Sequence, residues 1–525
     1  MGIYVNPGNG RLSADRTREI YVDKSLMLSE LNHYISHNIN LVCVSRPRRF
    51  GKTMAANMIA AYYSRGCDSH NVFSGLEISS SPDFETYLNS FTVIKLDMNG
   101  VVNKKGTLKV SDFIDSEVVP ELRKTFPGIL PEEKINLPMA VMRIFFQTGE
   151  RFVFIIDEYD VIFREQEYIS ERENYVSMLT ALFKGDDVRQ AVALVYLTGI
   201  LPVLKDKAQS KLNDFRELTM LDAENLAGYF GFTENEVLSL CIEKSMDFDE
   251  VKRWYDGYRL NGVEIYSPKS VVTAVEKKRC DDYWTQTASY EALQDLVLLN
   301  VDGLRDDITF MICGSEVPVN IRKFRNSALQ MKSRDEVLTC LIHLGYLGYD
   351  MDREVCFIPN HEIRNEWILS VEDNPDFSKV IAFVRDSRCL LEATWNRDSY
   401  RVAQSVKETH MFVSGSLTFN NEGAFQSAIR LAYFYADSFY YVFSELPAGK
   451  GFADIVFIPY VAGVPAMMVE LKRNDSHQSG IAQIKKREYP KALKNFNDRI
   501  LAVAISYDGK TKEHQCIIEE FQISL

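Results

Sequence analysis

The feature that most limits the fold is an apolar strand that runs through a short turn into a helix. Ile39-Asn40-Leu41-Val42-Cys43-Val44 reads as a buried strand. It passes into Ser45-Arg46-Pro47-Arg48-Arg49-Phe50-Gly51-Lys52-Thr53, and a helix follows from Met54 to about Tyr63. Such a turn can curl its backbone round phosphate oxygens while a helix N-terminus points at them. Lys52 would supply charge and the Thr53 hydroxyl a ligand for Mg²⁺. Arg46, Pro47, Arg48, Arg49, Phe50, Gly51, Lys52 and Thr53 are therefore candidate nucleotide contacts. Arg46, however, stands where such loops carry their first glycine, and a plain strand–turn–helix with a basic turn would look the same. Three guanidinium groups in so short a loop cannot all face one triphosphate without mutual repulsion. At least one of Arg46, Arg48 and Arg49 is expected to point to a neighbouring domain or a second subunit.

A second strand supports the nucleotide reading. Arg151-Phe152-Val153-Phe154-Ile155-Ile156-Asp157-Glu158 is an apolar run ending in two acids. This is a Walker B pattern, in which Asp157 joins the Mg²⁺ shell and Glu158 polarises the attacking water. Acids that only cap the next helix would give the same pattern, but the order strand–GKT–helix, then strand–Asp–Glu, favours a nucleotide site. A third strand, Ala191 to Gly199, ends in Thr198, where a sensor of the γ-phosphate would sit in an AAA-type sheet. In the plainer reading Thr198 only ends the strand.

Near the C-terminus stand two more strand-like runs. Phe452-Ala453-Asp454-Ile455-Val456-Phe457-Ile458-Pro459 and Ala466-Met467-Met468-Val469-Glu470-Leu471-Lys472 carry three charges. Glu470 and Lys472 are two residues apart, so on a strand they share a face. Charges projecting from a buried strand carry a high desolvation cost. A divalent cation held by Asp454 and Glu470, with Lys472 beside it, would offset that cost. The Gly463-Val464-Pro465 turn would fold the runs into a hairpin. A hairpin bearing only a surface Glu470–Lys472 ion pair is the bland alternative.

This pattern resembles the PD-(D/E)xK nuclease superfamily. The resemblance implies Mg²⁺ or Mn²⁺ on Asp454 and Glu470, and Lys472 as the catalytic cation. It implies a further acid at Glu422, in the helical run from Asn421, and a supporting amide at Gln483, in the helix of Ala482 to Tyr489. Taken with the N-terminal motifs, nearly the whole chain resembles a bacterial family joining an AAA-ATPase-like domain to a PD-(D/E)xK nuclease-like domain. The stretches that carry this include Ile20-Tyr21-Val22-Asp23-Lys24-Ser25, the Arg-rich GKT loop, Ile156 to Asp160 and Leu197-Thr198-Gly199. Trp254-Tyr255-Asp256-Gly257-Tyr258 and Tyr266-Ser267-Pro268 follow. An Arg-rich loop with a degenerate first glycine is typical of that family.

The expected architecture is α/β and multidomain. Residues 1–220 form a P-loop AAA-type parallel-sheet domain and 221–326 its helical lid. Residues 327–416 form a winged-helix-like module with a helical connector, and 417–525 an α/β nuclease-like domain. Asp23 is expected to cap the helix from about Ser25, and the 254–258 aromatics to belong to the core. Hydrophobic residues make up 46% and charged residues 25%, the balance of an ordinary globular protein. No apolar run is long enough to span a bilayer and no signal segment opens the chain, so a cytoplasmic location is expected. Nine scattered cysteines without a CxxC pair suggest free thiols. His33 and His37 lack a third ligand and read as surface residues.

The net charge of −13 argues against a nonspecific nucleic-acid coat. It leaves room for a local basic groove of Lys472, Arg473, Lys485, Lys486 and Arg487, although the last three equally describe a solvated helix face. The expected function is an ATP-binding and ATP-hydrolysing protein coupled to a Mg²⁺-dependent phosphodiesterase acting on nucleic acid. The alternative is an ATPase-type switch whose C-terminal module binds nucleic acid or protein without cutting. Either architecture allows a homo-oligomer.

Overall fold

The computed structural model describes residues 1–525 except 203–213, 285–289, 300, 302, 325–330, 417–427, 449–450, 462, 487–498 and 523–525. Its chain forms two compact units. One comprises Met1–Leu296 and Pro318–Asn365, the other Val297–Val317 and Glu366–Leu525.

The first unit is built on β1 (Leu41–Ser45), followed by helix α1 (Lys52–Tyr63), β2 (Thr92–Asp97), β3 (Phe152–Asp157), β4 (Val192–Gly199) and β5 (Arg216–Leu218). These strands make a five-stranded sheet in the order β2-β3-β4-β1-β5, and each neighbouring pair is parallel. Every residue of β1, β3 and β4 is buried. The continuous apolar runs seen in the sequence follow, because a parallel sheet is covered by helices on both faces. Cys43, Ile94, Phe154 and Ile156 enter one core, and Val42, Val44, Val153 and Ile155 enter the other. Parallel strands bring their C-terminal ends to one edge, so Ser45, Asp157 and Thr198 end together. The register confirms it, with Val44 opposite Thr198 and Asp97 opposite Asp157.

Beyond the sheet come β6 (Phe232–Thr233), α2 (Glu234–Lys244), α3 (Phe248–Tyr255), β7 (Tyr258–Leu260), β8 (Val263–Tyr266) and α4 (Pro268–Lys277). The helices are well signed locally. Thr233 and Glu236 form a capping box on α2, Asp247 caps α3, and Pro268 opens α4. A small antiparallel sheet, order β6-β8-β7, adds to the helical pattern read from the sequence. Its turn is Asn261-Gly262, both with positive φ, and Asn-Gly is the strongest short-range hairpin signal. Tyr255 and Tyr258 are buried. Asp23 does not cap a helix: its carboxylate accepts from Ser25 N at 2.8 Å and Glu77 N at 2.7 Å, and the helix begins only at Met27. It ties two loops together instead.

Helix α5 (Arg334–Leu344), the hairpin of β9 (Gly348–Asp350) and β10 (Val355–Phe357), and helix α6 (His361–Val371) follow one another in the helix–hairpin–helix order read from the sequence.

The second unit contains α7 (Ser378–Trp395), α8 (Ser399–Ser416), β11 (Tyr440–Ala448), β12 (Gly451–Pro459), β13 (Ala466–Arg473), α9 (His477–Lys486), β14 (Arg499–Tyr507) and β15 (His514–Gln522). The sheet runs β11-β12-β13-β14-β15 and is mixed: β13 and β14 are parallel, the other pairs antiparallel. Alternation assigns its faces. Met467, Val469, Leu501 and Val503 pack with Leu390, Leu391, Val402 and Val406 of α7 and α8. Ala466, Met468, Ala502 and Ala504 pack with Ile481 and Ile484 of α9. Glu470 and Lys472 continue the second series and face α9.

Among the described residues no helix is long and apolar enough to cross a membrane. The cysteines are free, and His33 and His37 are exposed.

Candidate functional site

The edge of the parallel sheet carries a cleft of about 730 Å³, a size suited to a small ligand. Its floor is Arg48 to Ala55, including Gly51, Lys52 and Thr53, with Glu158 beside them. Tyr21, Val22, Tyr229, Phe232 and Val272 supply an apolar wall. Gly51 immediately precedes α1 with φ +87°, a left-handed conformation that glycine adopts without a Cβ penalty. The turn thereby aims the first N–H groups of α1 into the cleft.

Lys52 is 4% exposed. Its Nζ donates to the carbonyls of Arg46 and Pro47, both at 3.0 Å, and lies 3.6 Å from Glu158 Oε1. Burial pushes the Lys52 pKa down, opposed by Glu158, Asp160 and Asp157. Burial pushes Glu158 up, opposed by Lys52 and Arg164. Arg164 was not singled out in the sequence, yet its guanidinium stands 3.0 Å from Glu158 Oε2 and 3.0 Å from Asp160 Oδ2. Its spacing of four residues after Asp160, on one helical turn, is a weak signal that was there to read. Thr198 Oγ1 donates to Asp157 Oδ1 at 2.6 Å, so the end of β4 orients the acid at the end of β3. Thr53 lies in the cleft floor, and the buried Asp157 ends the strand beside it. A hydroxyl and a carboxylate suit Mg²⁺, which takes few protein ligands and fills its shell with water and phosphate oxygens.

The loop arginines do different things. Arg46 is wholly buried, donates through Nη1 to Ser45 O at 2.8 Å and Leu218 O at 2.9 Å, and lies over the Phe230 ring. Burial pushes its pKa down to about 10. Its side chain is a strut between β1 and β5 and is not directed at the cleft, which explains how it can replace a glycine. Arg49 donates to Tyr283 O at 3.1 Å. Arg48 is exposed and lines the cleft. Pro47 and Phe50 are buried in packing described below.

The second unit gathers four predicted residues. One step past the Ile455↔Val469 pair, the antiparallel register sets Asp454 opposite Glu470. Asp454 Oδ2 accepts from Leu471 N at 2.7 Å. Glu470 is 1% exposed. Lys472 Nζ donates to Glu470 Oε1 at 2.9 Å and to Gln483 Oε1 at 2.8 Å, while Gln483 Nε2 donates to the same Glu470 oxygen. The turn holds Gly463 at φ +87°. Glu422 and Arg487 lie outside the described residues. Lys485 is paired with Glu519 at 2.6 Å, and Arg473 and Lys486 are exposed. Among the described residues no three His, Cys, Asp or Glu side chains group as a metal site. Asp454 and Glu470 nonetheless form an oxygen pair of the kind hard cations prefer.

Gly480 was not anticipated. A Cβ there would lie 2.8 Å from the Ala504 Cβ, 3.5 Å from Lys472 Cγ and 3.7 Å from Glu470 Cγ. Its missing side chain lets α9 rest on the strands and brings Gln483 within reach of Lys472. We expect Gly480→Val to overpack this contact and cost about 1–3 kcal/mol. A calorimetric melt with a wild-type Tm would refute that expectation.

Residues 15–208 match a family model described as a predicted AAA-ATPase, and residues 420–516 match one for the PD-(D/E)XK nuclease superfamily. The first span includes Arg46 to Thr198 and the second Glu422 to Gln483. A curated relative, an uncharacterized protein in the vnfD 5' region of Azotobacter chroococcum mcd 1, is 23% identical over 283 residues. The match takes in 53% of this chain and 52% of the relative, so the chain spans about half the length of that relative. Solved structures with similarity include Cdc6p from Pyrobaculum aerophilum, at TM-score 0.28 and 8% identity over 68% of this chain and 96% of that one. The ORC2 protein of Aeropyrum pernix, in ADPNP–ADP complexes, gives TM-score 0.34 and 10% identity over 71% and 99%. The Aeropyrum pernix ORC1 protein in complex with DNA gives 0.25 and 10% over 72% and 100%.

Proposed function

We propose, from an AAA-ATPase-like domain joined in one chain to a PD-(D/E)XK nuclease-superfamily domain, an ATP-binding hydrolase that governs a metal-dependent phosphodiesterase acting on nucleic acid. The observation that carries the reading is the Asp454–Glu470–Lys472–Gln483 cluster, in which the superfamily's charged residues stand together, held by main chain and by one another.

In the cleft, Lys52 and the N–H groups of α1 would hold the β- and γ-phosphates, with Thr53 and Asp157 on Mg²⁺. Glu158 would accept a proton from the attacking water, and Thr198 keeps Asp157 oriented for its task. In the second unit Asp454 and Glu470 would hold Mg²⁺ or Mn²⁺, which supplies a water of lowered pKa and neutralises phosphate charge. Lys472 keeps a third N–H beyond those given to Glu470 and Gln483, suited to a phosphate oxygen or the attacking water. Gln483 fixes the Lys472 ammonium and so sets where its charge acts. Arg473 and Lys486 would meet the backbone of the nucleic acid.

The deciding experiment incubates the full chain with Mg²⁺ or Mn²⁺, with and without ATP, on single- and double-stranded DNA and RNA. Cleavage with either metal is expected, and Ca²⁺ should support it poorly because its looser geometry places the water less well. If no substrate is cut in any nucleotide state, the catalytic reading is wrong. A switch that binds nucleic acid or protein without cutting then takes its place.

A further inference from the structure

Four side chains of the Arg46-to-Phe50 loop, those of Arg46, Pro47, Arg49 and Phe50, reach into different elements of the first unit. Arg46 anchors the loop under the sheet, as described. Pro47 meets the C-terminus of α5: a Cβ at Gly345 would lie 2.8 Å from Pro47 Cγ and 3.4 Å from the Trp284 ring. Arg49 Nη1 donates to Tyr283 O. The Phe50 ring stands edge-on to Tyr258 at 5.5 Å and to Trp284 at 6.2 Å. Tyr258 in turn donates its hydroxyl to Gly345 O at 2.6 Å.

Tyr283 and Trp284, the segment that receives Arg49 and Phe50, are held by one buried acid. Glu362, in the first turn of α6, is 1% exposed. Its Oε1 accepts from Tyr283 N at 2.7 Å and Trp284 N at 2.8 Å, and its Oε2 accepts from Ser270 Oγ at 2.7 Å. A continuous set of packed and hydrogen-bonded groups therefore joins the Lys52 loop to both helices that flank the β9–β10 hairpin.

This connection has a physical reason to move. Lys52 Nζ donates to the carbonyls of Arg46 and Pro47. A triphosphate would compete for the same ammonium, and a charged acceptor makes the stronger bond. Satisfying it loosens the two carbonyls at the loop's start, where Pro47 presses on Gly345. We infer that the residues Pro47, Arg49 and Phe50, anchored through Tyr283–Trp284 on Glu362, transmit occupancy of the nucleotide cleft to the helix–hairpin–helix element of residues 334–365. The inference rests on the cleft being an ATP site and assigns that site a mechanical output. Glu362 is a positioning residue: it is buried outside the cleft lining and does not touch nucleotide.

Amide hydrogen exchange on the full chain tests it, with a non-hydrolysable ATP analogue and Mg²⁺. In wild type the analogue should change exchange at 281–284 and 341–350 by about tenfold. Glu362→Ala should still bind it through Lys52 and Thr53 but lose the change at 341–350. Burial holds the Glu362 carboxyl up at about 7, and a glutamine keeps the Oε1 acceptor, so Glu362→Gln should restore the response. Failure of wild type to bind the analogue would sink the ATP-site reading itself. Binding with no change at either segment, or an unaltered change in Glu362→Ala, overturns the coupling alone. Should Glu362→Ala fail to fold, the wild-type comparison decides.

Discussion

Lys52→Ala is expected to lower ATP affinity by at least about a hundredfold, since bonds from a charged donor to phosphate are worth about 1.5–3 kcal/mol each. The structure makes the loss larger than that of a surface lysine. Lys52 is buried where its charge is poorly screened, and it links the loop carbonyls of Arg46 and Pro47 to Glu158. Glu158→Gln should behave differently. It keeps the shape and a hydrogen-bonding group beside Arg164 but removes the proton acceptor, so binding should persist while turnover falls by about 10²–10⁴. Calorimetric titration separates the two variants. Equal affinity in wild type and Lys52→Ala would remove the phosphate-loop assignment.

Asp454→Asn is expected to reduce phosphodiester cleavage by about a thousandfold or more, because several kcal/mol of metal-derived stabilisation are lost at roughly 1.36 kcal/mol per tenfold. Asparagine retains an oxygen to accept the Leu471 N–H, so the hairpin should hold and the loss should report on charge. Lys472→Ala should fall by a comparable factor for another reason. It withdraws the ammonium that bonds the Glu470 carboxylate, which is 1% exposed, and the Gln483 amide oxygen. Melting curves for both variants keep folding and chemistry apart. Wild-type rates in Asp454→Asn would move the site elsewhere in the chain even if cleavage itself is real.

Much of this arrangement was legible in the chain. A parallel sheet buries both faces, so β1, β3 and β4 announce themselves as unbroken apolar runs ending in polar residues. Their ends had to meet at one edge, because parallel strands point one way. The two-residue spacing of Glu470 and Lys472 placed both on one face because side chains alternate along a strand. The small β6-β8-β7 sheet went unread because its strands are too short for alternation to stand above helical periodicity, although Asn261-Gly262 marked the turn.

What local pattern cannot supply is which side chains meet across distance in the chain. Three arginines in one loop look alike in a sequence; only packing sends Arg46 beneath the sheet and leaves Arg48 and Arg49 lining the cleft, with Arg49 also reaching a carbonyl 234 positions away. Arg164 and Glu362 carry no motif, and their importance comes from what their buried charges touch. Gly480 is one glycine among many until the Ala504 Cβ approaches it. Residue type and spacing thus determined the strands, the glycine–lysine–threonine turn and the acid–acid–lysine set, since these depend on backbone periodicity and neighbours a few residues apart. The tertiary structure alone decided which charges are paired and which loop residues brace other elements, because those depend on contacts between segments that only the completed fold brings together.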